Sequence, residues 1–102
     1  MLTFTAADGG SRQTVEVGAR FAVELAENPT TGYRWHAEAA DPGLLTVGDE
    51  FTAGGAARGA PGTRRLVFEP RAAGTFELRL RQYRSWEPDD VIGEFAITVT
   101  TA

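Results

Sequence analysis

The chain contains no cysteine, and this absence removes several kinds of chemistry at once. It excludes disulfide bonds, thiolate metal sites and a cysteine nucleophile. Histidine is nearly absent as well, because His36 is the only one. A single imidazole excludes metal sites and catalytic arrangements that need several histidines. We therefore expect no metal and no other cofactor.

Long apolar runs and an excess of positive charge are also missing. The net charge of −4 over 102 residues argues against binding nucleic acid through its phosphates. No apolar stretch approaches the roughly 20 residues of a membrane helix, so we expect no membrane partner. Residues 1–5 lack the basic segment and apolar core of a secretory signal. The sequence predicts a cytoplasmic protein, or a secreted or periplasmic one if a leader precedes this chain.

The chain does contain a series of short segments in which apolar and polar residues alternate, as they do in β-strands. Residues 75–83 form the clearest example, in which Phe76, Leu78 and Leu80 alternate with charged residues. Turn-forming residues separate the segments, and no segment has a convincing helical pattern. The other predicted strands are 2–6, 13–17, 20–26, 33–39, 44–47, 64–69 and 93–100, with 50–52 as a candidate continuation beyond a candidate bulge at Gly48.

Seven or eight short, regularly spaced strands predict an all-β fold, an immunoglobulin-like antiparallel β-sandwich. The length suits one domain that covers residues 1–102. Trp35 lies on the fourth predicted strand and is a candidate for the tryptophan that such sandwiches often bury. Charged residues on the edge strands predict a monomer.

The connection that begins at Asn28 reads Asn-Pro-Thr-Thr-Gly before the fourth strand. Pro29 fixes its own φ at about −65° and biases Asn28 toward extended backbone, while Gly32 can adopt a positive φ. Thr30 and Thr31 are β-branched and therefore stiff. These residues predict a short loop with few conformations that presents two hydroxyls and backbone amides. The same residue types are ordinary in a plain strand-to-strand turn, so that interpretation also stands.

Two other connections are expected near this loop. Residues 27–32 and 84–92 each follow a strand that runs in the same direction, which places both at one end of a sandwich. The irregular segment 53–63 is placed to join them. The 84–92 connection is polar but contains Trp86, which must either pack on its own domain or meet a partner. Tryptophan, tyrosine and arginine are also the residue types richest in interface hot spots.

No catalytic arrangement is visible in the sequence. His36 lies on an alternating strand, and we expect it to be solvated or at a sheet edge. Glu87, Asp89 and Asp90 lack the spacing of a calcium loop, and we expect them to be solvated. Residues 49–50 are interpreted as an exposed turn. The sequence therefore predicts a binding protein and not an enzyme.

The hexapeptide at 28–33 resembles the signature loop of the chagasin-like inhibitors of papain-family cysteine peptidases. It matches their Asn-Pro-Thr-Thr-Gly-aromatic pattern at every position. Their second-loop pattern, Gly-x-Gly-Gly, corresponds to residues 59–62, where Pro61 replaces a glycine. Their third-loop pattern, Arg-Pro-Trp, corresponds to residues 84–86, where Ser85 replaces the proline. The resemblance covers essentially the whole chain.

The resemblance implies an immunoglobulin-like sandwich that reversibly inhibits a papain-family cysteine peptidase through three loops at one end. Thr30 and Thr31 would cover the catalytic Cys–His pair, and Gly32 would allow close backbone approach. Trp86 would stack on the primed side of the cleft, with Arg84 bracing the loop or meeting a carboxylate. The second loop would follow the non-primed side. The implied peptidase-binding residues are Asn28, Pro29, Thr30, Thr31, Gly32, Tyr33, Gly59, Ala60, Pro61, Gly62, Arg84, Ser85 and Trp86.

Two other functions fit the same fold. One is an adhesion or accessory module without inhibitory activity that binds a protein or a glycan through Trp86 and Tyr33. The fold favours neither function, whereas the complete first motif favours the inhibitor. A glycan-binding module would more often carry several aromatic residues in one flat patch. The other is a relic that keeps the fold without inhibiting, to which the departures at Pro61 and Ser85 would point.

Overall fold

Eight β-strands account for most of residues 1–38, 42–54 and 61–102, which are the residues that the computed structural model describes. Two single turns of 3₁₀ helix, Ala6–Asp8 and Pro29–Thr31, accompany them. The all-β prediction is confirmed. The strands are β1 (Leu2–Thr5), β2 (Arg12–Val15), β3 (Phe21–Glu27), β4 (Arg34–Ala37), β5 (Leu44–Thr52), β6 (Gly62–Pro70), β7 (Gly74–Tyr83) and β8 (Gly93–Thr101).

The strands form two four-stranded sheets, in the orders β1-β3-β6-β5 and β2-β8-β7-β4. The predicted sandwich is confirmed, and four of the six strand pairs among the described residues are antiparallel: β3–β6, β5–β6, β4–β7 and β7–β8. Two edge pairs depart from the antiparallel prediction, because β1 runs parallel to β3 and β2 runs parallel to β8. The N-terminal segment joins one sheet, turns through Ala6–Asp8 and then joins the other. Alternation of apolar residues specifies which face is buried but not the direction of a strand, so this pairing could not be predicted.

The core fills the space between the two sheets with the inward-facing apolar residues of both. Three phenylalanine rings of one sheet pack side by side. The ring centroid of Phe21 lies 5.6 Å from that of Phe4 and 5.6 Å from that of Phe68. Trp35 is partly buried against this core, and its indole N–H donates to the carbonyl of Ala26 at 3.0 Å. The core residues from the second sheet are Val15, Phe76, Leu78, Leu80, Phe95, Ile97 and Val99.

Strand β5 is longer than the sequence predicts and continues through its bulge to Thr52. The candidate bulge is confirmed, since the register against β6 shifts between Thr46 and Gly48. The exposed turn predicted at residues 49–50 is wrong, because Asp49 and Glu50 continue the pairing of β5 with Leu66 and Arg65. A bulge inserts one residue without ending the ladder, so the strand continues beyond it.

The strand ends place the 28–33 and 84–92 connections at the same end of the molecule, where β5 also ends and β6 begins. At this end the last residue of β3 pairs with the first of β6, Glu27 with Gly62. The first residue of β4 pairs with the last of β7, Arg34 with Tyr83. The predicted common location of the 27–32 and 84–92 connections follows from this register. Residues 55–60 of the predicted irregular segment lie outside the described residues. Among those described, no helix is long and apolar enough to cross a membrane.

Candidate functional site

The first loop of the site is a single turn of 3₁₀ helix, Pro29–Thr31, capped by Asn28. The Asn28 side-chain oxygen accepts from the Thr30 amide at 3.0 Å and from the Thr30 hydroxyl at 2.8 Å. The Thr31 hydroxyl donates to the Asn28 carbonyl at 3.0 Å. Asn28 is extended and Gly32 has a φ of 78°, as the sequence predicts. Proline at the first helical position and asparagine as the cap suit this turn, so the loop is held mainly by Asn28.

The first loop and the 84–92 connection meet at Gly32. A Cβ atom added to Gly32 would lie 2.7 Å from Cη2 of Trp86, which is closer than real Cβ contacts come. The absence of a side chain at Gly32 therefore allows the indole ring to lie against the loop backbone. Trp86 nevertheless remains 66% exposed. It neither folds into the core nor stands free of the domain, and it extends the surface of the first loop.

Arg84 joins the two loops by a hydrogen bond and by ring contacts. Its Nε donates to the carbonyl of Thr31 at 2.9 Å. Its guanidinium carbon lies 4.3 Å from the centroid of the Tyr33 ring and 5.9 Å from that of Trp86. A cation over an aromatic face stabilises the arrangement by roughly 0.5–1 kcal/mol at an exposed site. Arg84 thus holds the first loop and the 84–92 connection together.

Tyr33 is hydrogen-bonded to the third loop, residues 84–92, through Asp90, for which the sequence predicts only a solvated carboxylate. Its hydroxyl donates to Oδ2 of Asp90 at 2.5 Å. This hydrogen bond, with smaller contributions from desolvation and nearby carboxylates, raises the pKa of Tyr33, while Arg84 opposes the rise. The phenol therefore keeps its proton at neutral pH. No periodic pattern governs a loop, so no sequence signal identified Asp90 as this partner.

The third loop begins with a tight turn. The Glu87 amide donates to the Arg84 carbonyl at 2.9 Å, and the Asp90 amide donates to the Glu87 carbonyl at 3.1 Å. Ser85 and Trp86 are therefore the two central residues of a four-residue turn. Ser85 is exposed at the first of these central positions.

The second loop is described only at its base. Gly59 and Ala60 lie outside the described residues, while Pro61 is exposed. Gly62 is buried within β6, where an added Cβ would lie 2.4 Å from Cζ of Phe51. Of the residues implied for this loop, the structure places Pro61 on the surface and Gly62 beneath the Phe51 ring.

Glu27 is the last residue of β3, directly before the first loop, and it was not identified from the sequence as part of the site. It is buried, and its Oε1 accepts from the Trp35 amide at 2.8 Å, on the far side of the loop. A signal was available, because Glu27 continues the inward-facing series of Phe21, Val23 and Leu25. Its buried partner is Arg64, which likewise lies on an inward-facing position of β6.

The site has no catalytic chemistry of its own on the residues described. His36 stacks on Tyr83 at a centroid distance of 4.1 Å, and its Nε2 lies 3.3 Å from the Tyr83 carbonyl. It lies on β4, an edge strand, as predicted. Across residues 1–38, 42–54 and 61–102, no group of three or more acidic or histidine side chains is arranged to hold a metal. The site offers a rigid, exposed surface suited to binding.

Comparison with known proteins identifies the kind of protein that has this site. The family model of the chagasin family peptidase inhibitors, I42, matches residues 14–99. Chagasin of Trypanosoma cruzi is 33% identical over 88 residues, which are 80% of each chain. The cysteine protease inhibitor EhICP2 of Entamoeba histolytica has a similar structure, with a TM-score of 0.88 and 21% identity over 99% of this chain and 95% of that one. PbICP-C, solved in complex with falcipain-2, gives a TM-score of 0.70 with 17% identity over the whole of both chains.

The fold and the site define a peptidase inhibitor on an immunoglobulin-like sandwich, and not an enzyme. The family match covers most of the chain, and the protein belongs to the chagasin family of peptidase inhibitors.

Proposed function

We propose that this protein inhibits papain-family cysteine peptidases by occluding the active-site cleft reversibly with its three loops. The observation that carries the proposal is the contact between the first and third loops. Trp86 lies against Gly32, and Arg84 donates to the Thr31 carbonyl, so the exposed tip and the exposed indole form one surface. A surface that is ordered before binding loses less entropy on binding.

The proposed peptidase-binding residues keep the roles that the family resemblance implies. The first loop, Asn28 to Tyr33, enters the cleft at the catalytic Cys–His pair. Trp86 stacks on the primed-side rim, with Arg84 and Ser85 in its turn. Residues 59–62 follow the non-primed side, where the buried Gly62 supports the hairpin through Phe51.

Hydrogen bonding within the first loop determines what it offers the peptidase. The hydroxyl protons of Thr30 and Thr31 are both donated to Asn28. Their oxygens can therefore act toward a partner as acceptors, and the imidazolium of a Cys–His pair is a donor of suitable charge.

The same hydrogen bonds protect the inhibitor from cleavage. Hydrolysis requires the scissile carbonyl to reach the nucleophile in a near-attack geometry. The Asn28 carbonyl instead accepts from the Thr31 hydroxyl and amide inside the turn. Inhibition is thus exclusion of substrate, with no covalent step.

Titration of active papain with the purified protein tests the proposal, read as residual hydrolysis of a fluorogenic peptide. We expect stoichiometric or nanomolar inhibition, weakened at least about a hundredfold by Thr31→Trp. Thr75→Trp is the matched control, because it places an indole on an exposed threonine at the opposite end of β7. Absence of inhibition at micromolar protein, with papain and with a cathepsin-like enzyme, would contradict the proposal and favour the adhesion module.

We infer that the inhibitor acts in the cytoplasm, or in a secreted or periplasmic location if a leader precedes the chain. The absence of cysteine makes the fold independent of the redox state of either environment. Fractionation of the native host with an antibody to the protein tests the location.

A further inference from the structure

A buried ion pair lies directly beneath the first loop. Glu27 is 2% exposed and Arg64 is 7% exposed. The Arg64 Nε and one terminal nitrogen donate to Oε2 of Glu27 at 3.0 and 2.7 Å. The other carboxylate oxygen of Glu27 accepts from the Trp35 amide. Glu27 therefore joins the strand that enters the first loop to the strand that leaves it.

Arg64 extends this connection to the hairpin formed by β5 and β6. Its remaining terminal nitrogen donates to Oδ1 of Asp49 on β5 at 2.9 Å. Its guanidinium carbon lies 5.3 Å from the centroid of Phe51, the ring that covers Gly62 at the start of β6. The four side chains Glu27, Arg64, Asp49 and Phe51 thus link the first loop to the base of the β5–β6 hairpin. We call this set the loop brace.

Stability alone does not account for the loop brace. Desolvation of two charges opposes their attraction, and an apolar pair of similar volume often gives equal stability. Burial alone would lower the pKa of Arg64, but the hydrogen bonds that Arg64 donates to Glu27 and Asp49 raise it, so the guanidinium stays charged. A charged pair with directional hydrogen bonds fixes geometry in a way that an apolar pair does not.

We propose that Glu27 and Arg64 are positioning residues for inhibition, which hold the first loop in register with the β5–β6 hairpin. The inference rests on the proposed function and goes beyond it, because both side chains are too buried to touch a peptidase. Inhibition then depends on a pair that lies outside the contact surface. Its loss should act mainly through the dissociation rate, since the misaligned loops no longer fit the cleft together.

The test compares two double variants on the same two strands. Glu27→Gln/Arg64→Met removes the buried charges but keeps an acceptor for the Trp35 amide. Glu24→Gln/Arg65→Met is the matched control, because Glu24 and Arg65 form a half-exposed cross-strand pair at 2.5 Å. Inhibition constants and dissociation rates with papain are measured well below each melting temperature. Backbone amide shifts and order parameters of residues 28–35 and 61–64 are measured by NMR on the free proteins.

We expect Glu27→Gln/Arg64→Met, the loop-brace variant, to stay folded. It should bind papain at least about tenfold more weakly than the wild type does, mainly through faster dissociation. The control should change affinity less than about twofold, because an exposed pair contributes little to stability and neither side chain belongs to the proposed contact surface. Equal affinity of the loop-brace variant and the wild type would overturn the inference. If the double variant does not fold, Glu27→Gln alone is judged by the same criteria.

Failure of the proposed function is distinguishable from failure of this inference. If the wild type inhibits no papain-family peptidase, the NMR measurements on the free proteins still test whether Glu27 and Arg64 position the first loop. Greater mobility of residues 29–32 in the loop-brace variant, and not in the control, would support the brace. Unchanged shifts and order parameters in both segments would overturn it.

Discussion

At the scale of single residues, Gly32 satisfies two conditions that no other residue type meets here. Its φ of 78° lies in the left-handed region, and its missing side chain makes room for Trp86. The first condition concerns the conformation of the loop itself. The second concerns the contact between two loops. The effect of a substitution on stability can therefore be separated from its effect on inhibition.

Gly32→Ala should lower both stability and affinity. Left-handed backbone costs a residue with a Cβ about 1–2 kcal/mol, and the methyl group would displace the Trp86 ring. The matched control is Gly18→Ala, since Gly18 has a φ of 84° with nothing within 4 Å of an added Cβ. Chemical denaturation should show similar losses of stability in both, while only Gly32→Ala should raise the inhibition constant. Equal inhibition by the two variants would show that the Trp86 contact is irrelevant to binding.

Trp86→Ala should weaken inhibition with little effect on folding. A central aromatic anchor contributes on the order of 2 kcal/mol, or about thirtyfold in affinity. Its exposed indole contributes little to the core, so the melting temperature should be nearly unchanged. Leu45→Ala, an exposed apolar residue on β5 at the other end, is the control. An unchanged inhibition constant for Trp86→Ala would rule out the anchoring role.

At the scale of the elements, the third loop is ordered although it lacks the family's proline. The turn from Arg84 to Glu87 is closed by a hydrogen bond, and Asp90 is tied to Tyr33. Arg84 adds its hydrogen bond to the first loop. Contacts between loops thus restrict a segment that proline would restrict through its own ring.

Ser85→Pro should therefore be accepted and should stabilise the protein. Proline is favoured at the first central position of type I and type II turns, where Ser85 lies. A compatible proline stabilises by about 0.4–1 kcal/mol by restricting the unfolded chain. Ser85→Ala controls for loss of the hydroxyl. Urea denaturation should show a gain only for the proline variant, with equal or tighter inhibition; destabilisation would mean that Ser85 has a backbone conformation that proline cannot adopt.

Elements governed by local rules could be predicted from the sequence. Alternation located the strands, and the Asn-Pro and Gly positions predicted the conformation of the first loop. The Tyr33–Asp90 contact could not be predicted, because it joins two loops whose relative position depends on the whole sandwich. Glu27 is an intermediate case. The alternation of β3 predicts that its side chain points inward, whereas a carboxylate is normally expected in water.

At the scale of the whole molecule, an ion-pair cluster on the surface links stability to pH. Glu69 accepts from Arg20 at 3.1 Å and pairs with Arg71 at 2.5 Å. The hydrogen bond from Arg20 is the main cause that lowers the pKa of Glu69 from 4.5; desolvation opposes it and Arg71 adds to it. A carboxylate whose pKa is lower in the folded state stabilises the fold above its unfolded pKa. This stabilisation is lost as the pH falls through the folded value.

Glu69→Gln should therefore be less stable than the wild type at pH 7, and the difference should shrink as the pH falls below 4.5. Urea denaturation from pH 7 to below pH 4.5 measures this difference in the free energy of unfolding. Glu16→Gln controls for the removal of one negative charge. A difference between wild type and Glu69→Gln that stays constant down to the lowest pH would contradict the linkage.

The direction of the strands places both chain termini away from the site. Leu2 pairs with Phe21 at the start of β3, and Thr101 pairs with Gly74 at the start of β7. Strands β3 and β7 both end at the candidate site, where the first loop and the 84–92 connection begin. Either terminus can consequently carry an affinity handle, a fluorophore or a second copy of the domain while the loops face outward. A tandem of two such domains could hold two peptidase molecules at once.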